Sequence, residues 1–279
     1  MHRTRYTVRM FTLEIALLIF AAAFCIPLYL VVTTSLKSTD EMLRNPFGLP
    51  SEPTTDAFAT AWAEGGQSGL GSAVFASVTI TTGTVVALVA IGSLAAYVLG
   101  RRTEKLSTAL YLLFLLGFII PPQLAILPLY SVFNSAGLVG SLFGMTLLQT
   151  GFLMPIAVIL YTGFVRVLPV EYDEAARIDG AGPLRTFWSV IFPLLGPVTG
   201  TVAVLSAMLV WNDFFAPLIF LSGSKNETVP VAMYSFVGEF SSQWNNVFAA
   251  AILSVAPVLL FYIFAQRQLM RGFSGGIKG

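Results

Sequence analysis

The 279-residue sequence contains one cysteine, Cys25, one histidine, His2, and only 10% charged residues. A lone cysteine excludes an internal disulfide and any metal site built on several cysteines. A lone histidine at position 2 excludes Ser-His catalysis and Glu-x-x-His metal chemistry in the body of the chain. A soluble domain carries roughly 25% charged residues. With 56% of its residues hydrophobic, this chain has too little polar surface to clothe such a fold. Lipid is the solvent that fits. The net charge of +1 points to neither nucleic acid nor an acidic substrate. A nucleotide-cradling Gly-x4-Gly-Lys-Ser/Thr run is also missing, since Gly223-Ser224-Lys225 has neither its spacing nor its strand–helix context.

What the sequence does have is long apolar runs. Crossing the hydrocarbon core takes about 20 mostly apolar helical residues, and six stretches qualify. They run from about Phe11 to Leu36, Gly71 to Gly100, Leu106 to Leu127, Leu142 to Val165, Leu194 to Leu221 and Val247 to Ala265. The first follows Arg3, Arg5 and Arg9 but exceeds the apolar run of a signal peptide and reads as an uncleaved span, with Glu14 snorkelling to the interface. Twelve of the fifteen basic residues fall in four segments. These are the amino-terminal arm, the 101–105 connection with Arg101, Arg102 and Lys105, the 166–193 connection with Arg166, Arg177 and Arg185, and the tail with Arg267, Arg271 and Lys278. Lys37, Arg44 and Lys225 occupy the intervening loops. The positive-inside rule then gives an all-α integral membrane protein of six transmembrane helices with both termini cytoplasmic.

Three regions follow. Residues 1–70 hold the first span and an outer loop whose Asn45-Pro46-Phe47-Gly48-Leu49-Pro50 run is turn-prone. Within that loop, Asp56 to Glu64 suits a short interfacial helix with Phe58 and Trp62 on one face. Residues 71–265 hold the remaining spans, and 266–279 a glycine-rich tail. Pro27, Pro121, Pro122, Pro128, Pro155, Pro197, Pro217 and Pro257 fall within or beside spans. Membrane helices tolerate such prolines as packing kinks, and transporters use them as hinges.

The 166–193 connection carries the most information. Pro169 and the acids Glu171, Asp173 and Glu174 suit a helix start, where carboxylates meet the positive dipole end. Gly180 suits a left-handed stop, and Gly182-Pro183 prevents continuation. The result is a helix–turn–helix of roughly 25 residues. Ala175, Ala176 and Ala181 leave little side-chain bulk against an approaching protein, while Glu174, Arg177, Asp179 and Arg185 supply charged edges. An amphipathic loop on lipid headgroups is the competing reading, although a basic, aromatic face would be expected for it.

This segment resembles the EAA loop of ABC-importer permeases, with Glu174-Ala175-Ala176, Gly180, Val190 and Pro193 at the family's spacing and Phe192 where leucine is usual. Ser35-Leu36-Lys37, Asp179-Gly180-Ala181, Trp211-Asn212-Asp213-Phe214-Phe215-Ala216-Pro217-Leu218 and the Gly272-to-Gly279 ending are similar to the maltose-type carbohydrate subgroup. The resemblance implies a type I ABC-importer transmembrane fold without catalytic residues, cofactor or metal. Its partners would be a companion permease, two ATPase subunits, an extracytoplasmic solute-binding protein and a carbohydrate substrate. It also implies that Glu174, Ala175, Ala176, Arg177, Asp179, Gly180 and Ala181 form the ATPase-coupling helix.

A second candidate is Trp211-Asn212-Asp213, because Asp213 is the one acid deep in a predicted span. A charge there costs about 2.5 kcal/mol or more unless it faces protein or water. Asp213 marks a pathway or gate position, with Trp211 stacking on a sugar ring, or it is a buried acid hydrogen-bonded to a neighbouring helix, or one close to the outer interface. An importer of a non-carbohydrate solute stays open. Two-aspartate intramembrane proteolysis lacks its second in-span aspartate. Ion-coupled carriers commonly use more spans and several buried ionisable groups.

Overall fold

The computed structural model describes residues 8–237 and 243–274. Arg3, Arg5 and residues 275–279 of the tail lie outside them, as do the side chains of Arg9, Arg267 and Arg271. The described residues are helical throughout, with no β-strand among them.

Three helices are long and apolar enough to cross a membrane unbroken: Met10–Ser35, Leu70–Arg101 and Leu142–Val167. Two bent pairs raise that number to as many as five. Lys105–Ile119 meets Pro122–Ser135 at 94°, because Pro121 and Pro122 withhold the two N–H groups that would continue the ladder. The third expected stretch, drawn to Leu127, therefore ends as a straight helix at Ile119. Pro183–Leu194 meets Gly196–Trp211 at 78°. At sixteen residues the Gly196–Trp211 helix is about 24 Å long, short of the ~30 Å hydrocarbon core. A break at 212–214 separates it from Phe215–Phe220, so the fifth expected stretch, drawn to Leu221, is two helices. Trp244–Ser274 closes the described chain. Pro27, Pro155 and Pro257 sit inside unbroken helices, so for these three the packing reading holds.

The core is built around Leu142–Val167, which packs against both halves of Leu70–Arg101, against Lys105–Ile119 and against Gly196–Trp211. At the end bearing residues 166–193, Leu99, Tyr161, Val165, Phe187, Ile191 and Leu195 form one buried cluster. At the opposite end Ile80, Met145, Leu148, Val210 and Phe220 form another. Val8–Ser35 lies beside Trp244–Ser274, its apolar side chains exposed all round. A helix of that kind requires lipid or a partner chain.

The connections at this opposite end interlock. Lys37 is fully buried, and its Nζ donates to the Asn45 carbonyl at 2.7 Å. The Thr54 N–H returns to the Leu36 carbonyl at 2.9 Å, closing residues 36–54 into a loop with adjacent ends. Inside it the Ser51 N–H donates to Glu41 at 2.5 Å and holds that carboxyl below its usual range. Asn226 bridges to the Gly140 carbonyl at 2.8 Å, and Glu227 accepts from the Gln67 N–H at 2.9 Å. The Asp56–Glu64 helix forms as the sequence suggests. Its buried face is Ala57 and Ala61, however, with Trp62 exposed. The small side chains let the helix approach Trp244–Ser274 closely, and Phe58 packs half-buried against the same cluster.

Candidate functional site

The Leu142–Val167 helix stops at Leu168-Pro169, and after one turn of chain the short helix Glu171–Ile178 begins. Its first turn holds Glu171, Asp173 and Glu174. Its end is closed twice: the Ala181 N–H donates to the Ala176 carbonyl at 2.9 Å, and the Gly180 N–H to the Arg177 carbonyl at 3.0 Å. This paired closure needs a left-handed residue after the cap, and Gly180 supplies it at φ +79°. The chain then turns through Gly182 into Pro183–Leu194, whose middle is a π-helical turn, Phe187–Ile191. The sequence-expected helix–turn–helix is present.

Its faces differ in part from expectation. Glu174, Ala175, Arg177, Asp179 and Gly180 are exposed and Ala181 is half-buried. Ala176 is only 6% exposed, because it turns inward with Asp173, so of the three alanines only Ala175 and Ala181 reach the surface. The sequence reading passed over Ile178 and Leu184. They are 86% and 65% exposed.

A second set of residues fixes the root of this knuckle. Asp173 is buried and pairs with Arg101 at 2.9 Å. The Arg101 guanidinium also donates to the carbonyls of Val165 at 3.2 Å, Leu168 at 2.8 Å and Pro169 at 3.3 Å. Tyr97, one turn before Arg101, donates its hydroxyl to Asp173, and its ring lies 5.3 Å from that of Phe187. Their four-residue spacing is the available sequence signal, since it puts Tyr97 and Arg101 on one helix face. The partners lie more than sixty residues away.

Trp211, Asn212 and Asp213 fall at the break after Gly196–Trp211 and divide in their surroundings. Asp213 is half-buried, accepts from Gln149 Nε2 at 2.5 Å and from the Phe215 N–H at 3.1 Å. It therefore joins the break to the Leu142–Val167 helix, as the hydrogen-bonded reading expects. Trp211 and Asn212 line an open cavity of about 590 Å³ with Phe214, Met233, Tyr234 and Val258. Met233 and Tyr234 carry no local signal, because they come from the separate helix Val229–Tyr234. Among the described residues no group of three metal-ligating side chains is assembled.

Comparison with known proteins agrees with this geometry. Residues 88–275 match the family described as binding-protein-dependent transport system inner membrane component. The chain is 36% identical over 275 residues to the melibiose/raffinose/stachyose import permease protein MelC of Bacillus subtilis, covering 98% of each. It is 32% identical over 250 residues to a probable starch degradation products transport system permease protein, AmyC, of Thermoanaerobacterium thermosulfurigenes, covering 90% of each. Among solved structures it shares the fold of a chain from a bacterial ABC transporter involved in alginate import, with a TM-score of 0.77, 21% identity and 95% and 99% coverage. The chain belongs to the inner membrane components of binding-protein-dependent transport systems.

Proposed function

We propose that this permease forms half of the translocation pathway of an ATP-driven carbohydrate importer and takes its energy from a separate ATPase docked on the 171–181 knuckle. The substrate class rests on the 36% identity to a permease named for melibiose, raffinose and stachyose import. The coupling role rests on one observation: a rigidly terminated acidic helix presents Glu174, Ala175, Arg177, Ile178 and Gly180 outward at the end of the bundle. Small and apolar groups ringed by charges suit a groove on another protein rather than lipid headgroups.

The topology that accompanies this reading has six spans and both termini in the cytoplasm. Residues 1–70 form the first span and outer loop, 71–265 the core with its coupling loop at 166–193, and 266–279 the tail. Arg101, Arg102, Lys105, Arg166, Arg177 and Arg185 all belong to the knuckle end, in keeping with a cytoplasmic face. The assembly consists of this chain, a companion permease, two ATPase subunits and an extracytoplasmic solute-binding protein. That protein meets the outer loops at 37–70 and 222–246. Trp211, Asn212 and Asp213 belong to the pathway in different ways: Trp211 and Asn212 face its cavity, and Asp213 fixes the break that displays them. ATP binding and hydrolysis alternate the access of that cavity by shifting a two-state equilibrium.

Two measurements test the reading. Uptake of labelled melibiose, raffinose, glycine betaine and amino acids is compared in a strain lacking only this gene. Selective loss of sugar uptake is expected, and selective loss of another solute would overturn the substrate class. A cysteine at Ala181 is then cross-linked in membranes, and failure to capture an ATPase subunit would overturn the coupling role.

A further inference from the structure

The knuckle touches the bundle at a well-defined root. Its tip, Asp179 to Gly182, stands largely clear, and Cβ atoms built at Gly180 and Gly182 meet nothing within 4 Å. The root is held by an ion pair and several hydrogen bonds centred on Arg101 and Asp173. Arg101 lies at the carbonyl end of Leu142–Val167 and beside a carboxylate in the first turn of Glu171–Ile178. A cation suits the first dipole end and a carboxylate suits the second, so a single guanidinium joins two helix termini that meet it with negative charge. Its planar fork explains how it serves three carbonyls and the carboxylate at once, which a lysine could not do. Tyr97 secures the other arm: its hydroxyl meets Asp173 while its ring packs on Phe187, which is wholly buried in the core.

We propose that Arg101, Tyr97 and Asp173 are positioning residues that turn displacement of the knuckle tip into movement of the Leu70–Arg101 and Leu142–Val167 helices. The proposal rests on the coupling reading above and adds the route by which force enters the membrane. From Asp173 to the tip is about 10 Å of helix, a short lever with its pivot at the ion pair. A tip pushed by a partner cannot tilt about a free joint, because the guanidinium ties its root to two helix ends and Tyr97 ties it to the second arm. With the pair removed, the tip still docks but its motion is absorbed at the root.

The test uses the complete transporter in nanodiscs with Cys25→Ala as background. Two reporter cysteines are introduced separately, at Ala181 for cross-linking to the ATPase and at Met233 for maleimide labelling of the 590 Å³ cavity. The wild-type background is expected to cross-link and to change its Met233-position labelling rate on addition of ATP. Asp173→Asn, which keeps an acceptor for Tyr97 but loses the charge, is expected to cross-link normally while its ATP-dependent labelling change falls at least threefold. Arg101→Lys is expected to lie between. Normal labelling changes in Asp173→Asn would overturn the proposal, and so would joint loss of cross-linking and labelling, which marks a merely structural pair. If Asp173→Asn does not assemble, Tyr97→Phe decides, since it keeps the ring on Phe187 and removes only the hydroxyl. Absence of cross-linking in the background itself would instead refute the coupling reading, so the two failures are distinct.

Discussion

Gly180 offers the sharpest test of how the knuckle is made. Its φ is +79°, and a Cβ there would meet nothing within 4 Å. A substitution therefore adds no clash, and its whole effect is backbone strain. A non-glycine residue in the left-handed region costs about 1–2 kcal/mol, rising toward ~3 kcal/mol for strained positions such as a β-branched side chain would create. Asparagine reaches this region with a smaller penalty than other side chains. At about 1.4 kcal/mol per factor of ten, Gly180→Ala should lower the closed-to-open equilibrium constant of the knuckle by roughly 5- to 30-fold, Gly180→Ile by more, and Gly180→Asn by the least. The assay is titration of the partner ATPase onto nanodisc-held permease, with surface expression as the control for insertion. The expected order of affinity is Gly, Asn, Ala, Ile. Wild-type affinity in Gly180→Ala would refute the left-handed closure as the determinant. An asparagine variant as weak as the isoleucine one would show that side-chain size, and hence direct contact, governs instead.

Three further outcomes are expected. Gly144→Ala would place a Cβ 2.2 Å from the Leu138 carbonyl oxygen and 2.9 Å from Ser141 Oγ. Backbone cannot yield as a flexible side chain does, so a loss of about 1–3 kcal/mol should appear as a lower unfolding midpoint in detergent, and an unchanged midpoint would contradict it. Asp213→Ala removes both the Gln149 contact and the turn closed on Phe215 and should impair transport and lower stability by about 1–2 kcal/mol, while Asp213→Asn, which keeps Oδ1 for the Phe215 N–H and pairs its Nδ2 with Gln149 once that amide turns its Oε1 inward, should retain most of each; equal defects would show that the charge matters. Glu41 has a carboxyl pKa below its ordinary 4.5, chiefly because the Ser51 N–H donates to it. Its contribution to the closed 36–54 loop is thus complete above about pH 4.5 and fades as pH falls through the lower folded value. Hydrogen exchange at the Ser51 amide, corrected for intrinsic rate, should show no loss of protection between pH 7 and 5 and should lose it only in stronger acid. Loss of protection already at pH 6 would refute the assignment.

The knuckle was legible because its determinants are local. Pro169, the first-turn acids, Gly180 and Gly182-Pro183 act within a few residues of one another, and each specifies a backbone conformation irrespective of what lies alongside. The three unbroken apolar helices, Met10–Ser35, Leu70–Arg101 and Leu142–Val167, were legible for a similar reason, since hydropathy summed over twenty residues needs no knowledge of neighbours. The sequence could not say which prolines break a helix. Pro155 is absorbed in an unbroken helix, whereas Pro121 and Pro122 together remove two consecutive donors and give a 94° bend.

Sequence alone thus determined that this chain belongs in lipid, where its long apolar helices fall, and that an acidic helix between two of them ends on a glycine. Tertiary structure decided what faces what. It turned Ala176 inward and left Ile178 outside, gave Asp213 to Gln149 rather than to the cavity, and set Arg101 against Asp173 across 72 residues of chain. Hydropathy and helix stops are sums over neighbours in the chain, while a side chain's partner depends on the rotation and approach of helices distant in sequence.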